Sequence, residues 1–179
     1  MDNAINAQTP QELSGNGNLL MSVEGLCVRF HTAEGVHNAV RDVSFTLRRG
    51  ETLGVVGESG SGKSVTALSI MGLIPDPPGR ITAGRIMFDG RDLLALAPGE
   101  INHIRGNEIA MIFQEPMTSL NPIHTCGRQI MEPLLLHKGY NKRDAEQRAL
   151  ELMQMVGIPL PEQRLKEYPH QMSGGMRQR

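Results

Sequence analysis

Eight consecutive residues, Gly57-Glu58-Ser59-Gly60-Ser61-Gly62-Lys63-Ser64, fit the pattern G-x-x-x-x-G-K-[ST] and stand between a short apolar run and a helical pattern. The chemistry of that pattern is phosphate binding. Successive backbone N–H groups must turn inward around phosphate oxygens, which demands backbone angles that side chains obstruct; hence the glycines. The start of the following helix adds partial positive charge. Lys63 would set an ammonium beside the β- and γ-phosphates, where one contact at about 4 Å carries a Coulomb term of roughly 4 kcal/mol at a surface-like dielectric. Ser64 would ligate Mg²⁺ through its hydroxyl, with Val65 next in the helix. At the usual glycine frequency, chance supplies the full pattern in under roughly one chain in a hundred.

A phosphate loop alone does not separate kinases, GTPases and transport ATPases, since all use the same cradle. Two further segments narrow the choice. Gln114 follows the apolar stretch ending Ile112-Phe113 and opens Glu115-Pro116-Met117-Thr118-Ser119-Leu120-Asn121-Pro122. Met172-Ser173-Gly174-Gly175-Met176-Arg177-Gln178-Arg179 closes the sequence. In this order the three resemble the ABC ATPases: Gly57 to Ser64 is similar to their Walker A loop, Gln114 to their Q-loop glutamine, and Ser173-Gly174-Gly175 to their signature motif. The wording around Gln114 and from Tyr168 to Arg179 resembles the oligopeptide, dipeptide, nickel and glutathione importer subgroup.

That resemblance implies an α/β fold, a P-loop NTPase of the ABC ATPase type with an antiparallel β subdomain and a helical insertion. It implies ATP and Mg²⁺ as cofactors, with Ser64 and Gln114 at the metal. It further implies a peripheral subunit on the cytoplasmic face of the inner membrane. Its partners would be a second ABC ATPase subunit, transmembrane permease subunits and, indirectly, an extracytoplasmic solute-binding protein. Two copies would close head-to-tail, so that Ser173, Gly174 and Gly175 meet the γ-phosphate held by the opposite copy. The stretch from Pro116 to about Lys138 would contribute to the groove that receives a permease coupling helix. Adenine in such proteins stacks on an upstream aromatic; Phe30, with His37 behind it, is the candidate, and a plain core position for Phe30 is an equal reading. Met172 and Met176 replace the usual leucine and glutamine around Ser-Gly-Gly; Leu to Met conserves volume.

The family would continue past Arg179 into a Walker B aspartate, a glutamate that polarises water, and a switch histidine. The expectation for the polypeptide as written is therefore ATP binding with almost no turnover of its own, a core whose C-terminal part is missing, and an exposed apolar edge. Two alternatives stay open: a noncatalytic nucleotide-binding module, and an ABC ATPase outside transport.

The elements that must position these residues follow from periodicity. Leu20 to Phe30 and Val43-Phe45-Leu47 read as two half-buried strands joined near Gly35. Leu53, Val55 and Val56 read as a strand buried on both faces and ending at Gly57, and Glu108 to Phe113 as another. A helix from near Lys63 through Leu73 is stopped by Pro75-Asp76-Pro77-Pro78-Gly79. Ile81 to Phe88 reads as a strand ended by Asp89-Gly90, and Pro98 to Arg105 as a short helix. Asn141 caps an amphipathic helix over Lys142 to Val156, stopped at Gly157. The organisation expected is a disordered leader over 1–18, a nucleotide-binding lobe over about 19–114, a helical insertion over about 115–172, and the start of the signature helix at 173–179.

Composition bounds the rest. In 179 residues, 18 Lys+Arg against 19 Asp+Glu give no broad electrostatic case for nucleic acid or an anionic surface, so binding must be local. Cys27 and Cys126 read as reduced, small buried hydrophobes. No apolar run reaches the roughly 18 residues that cross a bilayer, and the polar N-terminus lacks the pattern of a signal peptide.

Overall fold

The computed structural model describes residues 18–114 and 119–179. The expected leader up to Gly17, and Glu115 to Thr118 after the candidate glutamine, lie outside the described residues. The chain divides into two units, residues 1–101 and 102–179.

The first unit is built on a sheet. β1 (Leu19–Thr32) and β2 (Gly35–Arg48) form the antiparallel hairpin that their alternation predicts, turning at Gly35. β3 (Gly79–Phe88) pairs antiparallel with the other edge of β1, and β4 (Arg91–Asp92) folds back after the Asp89-Gly90 turn, giving the order β2-β1-β3-β4. Val23, Leu26, Val28, Val40, Ile86 and Phe88 are buried in it. Each such side chain contributes about 1.5–3 kcal/mol relative to exposure. Both ladders on β1 shift register between Val23 and Cys27. Gly84 sits against this bulge with φ 106°, where a Cβ would come within 2.6 Å of Leu26 Cα, so only glycine lets the strands approach there.

Helix α1 (Lys63–Ile70) begins where the sequence predicts, and ends sooner. Gly72 adopts φ 62°; its N–H donates to Ser69 O at 3.0 Å and that of Leu73 to Leu68 O at 2.8 Å. This is the paired bonding that a left-handed glycine makes at a helix end, so Gly72 rather than the proline cluster stops the helix. α2 (Pro98–Ile104) occupies the expected stretch and straddles the boundary between the units.

The two strands read from continuous apolar runs are absent. Residues 51–58 form no ladder; Val55 is 54% and Val56 92% exposed. In 108–113 a single parallel bridge, Arg105 to Ile109, replaces a strand, and Ile112 is 93% exposed. A central strand is defined by neighbours on both edges, and among the described residues neither run has them.

The second unit is helical, with α3 (Cys126–His137), α4 (Lys142–Met155), α5 (Pro161–Arg164), a 3₁₀ turn (Pro169–Gln171) and α6 (Gly174–Gln178). Asn141 caps α4 as predicted, its side chain accepting from Asp144 N–H at 3.0 Å, and Gly157 closes it with φ 72°. Cys126, Ala149, Met153, Ile158, Leu165 and Met172 make one buried cluster. No helix among the described residues is long and apolar enough to cross a membrane.

Candidate functional site

In the loop from Gly57 to Lys63 the lysine ammonium turns back over the preceding backbone. Its Nζ donates to Gly57 O at 2.6 Å, Glu58 O at 2.8 Å and Ser61 Oγ at 3.1 Å. A turn bond from Ser61 N–H to Glu58 O, 3.2 Å, narrows the loop under it. Gly62 is the N-cap of α1 at φ 93°, and a Cβ there would lie 2.6 Å from Ala39 O of β2. The position therefore needs glycine twice over, for the backbone angle and for the close approach of loop to sheet. A Cβ at Gly57 would fall 2.6 Å from Ser61 Oγ and 3.9 Å from Lys63 Nζ, inside the curve of the loop. Ser59, Gly60 and Ser64 are exposed, and Val65 is half-buried as α1 begins.

Thr66 has a part the sequence reading did not assign. Its hydroxyl donates to Gly62 O at 3.0 Å, alongside its own N–H at 2.8 Å, tying the N-cap carbonyl to the first turn. A threonine four residues after an N-cap is the signal that would have found it.

Phe30 is half-buried on β1, paired with His37 on β2 and Gly79 on β3. Its ring lies across Gly79: a Cβ on that glycine would be 2.6 Å from Phe30 Cε1 and 2.7 Å from Ile74 Cγ2. One part of the ring is thus packed into the body of the sheet. Phe30 and Gly57 to Val65 belong to the first unit, Gln114 and Ser173 to Gly175 to the second.

Gln114 is exposed, at the last described position before 115–118. Ser173 is the exposed N-cap of α6, its Oγ accepting from Met176 N–H at 3.3 Å. A five-residue helix does not hold itself. Two anchors do so. Met172 is buried ahead of Ser173 with its Sδ 3.0 Å from Cys126 Sγ, and Arg179 Nη1 donates to Gly157 O at 2.9 Å behind it. The methionine in place of leucine therefore fills a core position, as its volume predicts, and Met176 packs on the same cluster. Burial, chiefly, pushes the Cys126 thiol up, with Glu167 adding to it, so this cysteine is a neutral hydrophobe rather than a nucleophile. The carboxyl of Glu167 itself is held below its ordinary value, first by the Arg164 guanidinium.

The sequence profile described as ABC transporter matches residues 40–179. This chain belongs to the ABC transporter family. Among its relatives, the oligopeptide transport ATP-binding protein OppD of Bacillus subtilis is 53% identical over 160 residues, which is 89% of this chain and 45% of that protein. The dipeptide transport ATP-binding protein DppD of Bacillus subtilis is 54% identical, covering 89% and 48%. DppD of Lactococcus lactis is 56% identical over 161 residues, covering 89% and 46%. The chain thus spans about half the length of the curated relatives it matches. A solved dimeric ATP-binding cassette in a post-hydrolysis state with ADP and Pi superposes with a TM-score of 0.74 at 26% identity, over 89% of this chain and 66% of the cassette. This likeness supports the ABC cassette fold, here an antiparallel sheet followed by helices.

Proposed function

We propose that this ABC chain is the ATP-binding part of an importer ATPase subunit for peptides or related small solutes. The observation that carries the reading is the Lys63 cradle. An ammonium fixed within 3.1 Å of three loop oxygens, in a curve that a side chain at Gly57 would fill, fits a polyphosphate. Bound there, ATP supplies the phosphoanhydride whose binding and cleavage drive transport.

The chain's own groups divide the work. Loop N–H groups between Glu58 and Ser64, with Val65 at the start of the helix, would hold the phosphates, and Lys63 would exchange loop oxygens for phosphate oxygens. Ser64, in the first unit, would offer Mg²⁺ a hydroxyl oxygen, as suits a hard cation that keeps several waters; Gln114, in the second, carries an amide oxygen of the same hard-donor class. Phe30 offers the exposed part of its ring to adenine, with His37 paired beside it. Ser173, Gly174 and Gly175 would address the γ-phosphate of a second ATPase subunit in a head-to-tail pair; the solved cassette is dimeric, which supports the pairing of two subunits. Leu135 and Leu136 on α3, 42% and 69% exposed, suit a permease helix seated against the 116–138 stretch on the cytoplasmic face of the membrane. The extracytoplasmic solute-binding protein acts on the permease and is indirect for this chain. Relatives named for oligopeptide and dipeptide transport favour peptide as the cargo.

Light scattering after size exclusion, with and without ATP, tests the reading. The expected result is ATP-dependent pairing that Ser173→Ala weakens while leaving ATP affinity unchanged. No ATP binding by a folded chain, or pairing indifferent to both ATP and Ser173, would sink it.

A further inference from the structure

On the solvent face of the sheet, at the end carrying the β1–β2 turn, two arginines stand directly opposite each other. Arg29 of β1 pairs in register with Arg80 of β3 on one side and with Asn38 of β2 on the other. Their neighbours point the other way: Val28 is buried and Phe30 half-buried, as is Ile81, while Arg29 and Arg80 are both exposed. His31, two residues beyond Arg29 on the same face, is exposed as well. The row across three strands is therefore Arg80, Arg29, Asn38, with an imidazole beside it.

Directly opposed like charges destabilise a strand pair. Here nothing offsets them: among the described residues no ion pair joins either guanidinium to a carboxylate, although Arg49 and Arg85 of the same unit are each paired, with Asp89 and Asp92. Cross-strand partners have their Cβ atoms about 4.5–5.5 Å apart, so two guanidinium forks can converge on one anion. A carboxylate offers two oxygens and a single negative charge, so it compensates only one guanidinium. Free phosphate or a phosphate monoester offers at least three oxygens and up to two negative charges, matching both forks, with the Asn38 amide as a further donor. The near-neutral whole-chain balance means that any such attraction is local to this row.

We propose that Arg29, Arg80 and Asn38 form a second oxyanion site, separate from the Lys63 loop, that takes a phosphate group. The phosphate is either free in solution or carried as a monoester on an anionic lipid headgroup. The site does not depend on the ATPase reading, because none of its residues belongs to the phosphate loop or the signature.

The test uses the chain with Lys63→Ala, which weakens the loop site, and the same chain with Arg29→Gln and Arg80→Gln added. Inorganic pyrophosphate is titrated calorimetrically against both, and both are floated with phosphatidylcholine vesicles with and without phosphatidic acid. Pyrophosphate binding that falls about tenfold or more in the double arginine variant supports a soluble phosphate. Flotation only with phosphatidic acid, lost in that variant, supports the headgroup. Absence of both, or binding that Arg29 and Arg80 do not affect, overturns the site. Unfolding midpoints give an independent check: removing opposed charges leaves the midpoint unchanged or raises it. A clear fall would mean that the arginines serve the fold instead.

Discussion

Lys63→Ala is the sharpest perturbation of the nucleotide site. The ammonium is already engaged with Gly57 O, Glu58 O and Ser61 Oγ at 2.6, 2.8 and 3.1 Å. A phosphate must share or displace these acceptors, so the bare Coulomb term of roughly 4 kcal/mol overstates its gain. The net worth of a charge-assisted hydrogen bond, about 1.5–3 kcal/mol, is the better guide and corresponds to roughly ten- to 150-fold in dissociation constant. The assay is a fluorescence titration with a ribose-labelled ATP, parent against variant, with circular dichroism to show that both are folded. Adenosine is the decisive control, because it lacks the phosphates that Lys63 addresses and its affinity should not change. An ATP affinity within twofold of the parent would refute the assignment of the ammonium to phosphate. Equal losses for ATP and adenosine would show that Lys63 merely holds the loop in shape.

Three further outcomes follow from the same geometry. Gly62→Ala combines a left-handed backbone angle of 93° with a Cβ 2.6 Å from Ala39 O, and should cost about 2 kcal/mol or more, read as a lowered urea midpoint. Met172→Leu should shift stability by less than about 1.5 kcal/mol, whereas Met172→Ala opens a cavity against Cys126 and should cost about 2–5 kcal/mol, with matching faster amide exchange across 173–177. Glu167 has its folded value lowered, first by Arg164, so its stabilisation is present above the ordinary carboxylate value and is lost as pH falls through the lowered one. Glu151, lowered first by Arg148, adds an effect of the same sign. Denaturant midpoints should therefore drop on acidification below about pH 4.5, and Arg164→Met should flatten that drop; an identical profile in the variant would contradict the assignment.

What was legible in the sequence is what chemistry or local geometry imposes on a few neighbouring residues. The loop at 57–64, the cap at Asn141, the stop at Gly157 and the hairpin turning at Gly35 each depend on contacts within a handful of positions, and the structure has all four. Gly72 shows the limit even there. Its left-handed cap ends α1 ahead of the proline cluster, and a glycine within an apolar periodic run carries no mark distinguishing an interior position from an end. Thr66 and the Met172–Cys126 contact were missed for a different reason. The first is a side-chain bond to a cap carbonyl, and the second joins residues 46 apart.

The two false strands show why long-range pairing resists reading. A continuous apolar run such as 53–56 or 109–113 states that water is unfavourable for those side chains; it does not state what covers them. Strand identity belongs to a pair, fixed by hydrogen bonds to another segment, and the run alone holds only one member. Val56 and Ile112 are more than nine-tenths exposed, beside the phosphate loop and ahead of Gln114 respectively. Each would lose on the order of 1.5–3 kcal/mol of burial relative to a covered strand. The residues expected to act on nucleotide are thus well formed locally where capping and turn chemistry fix them, as at Lys63, Gly62 and Ser173. Gln114, exposed after Ile112-Phe113, is marked in the sequence only by its position behind an apolar run.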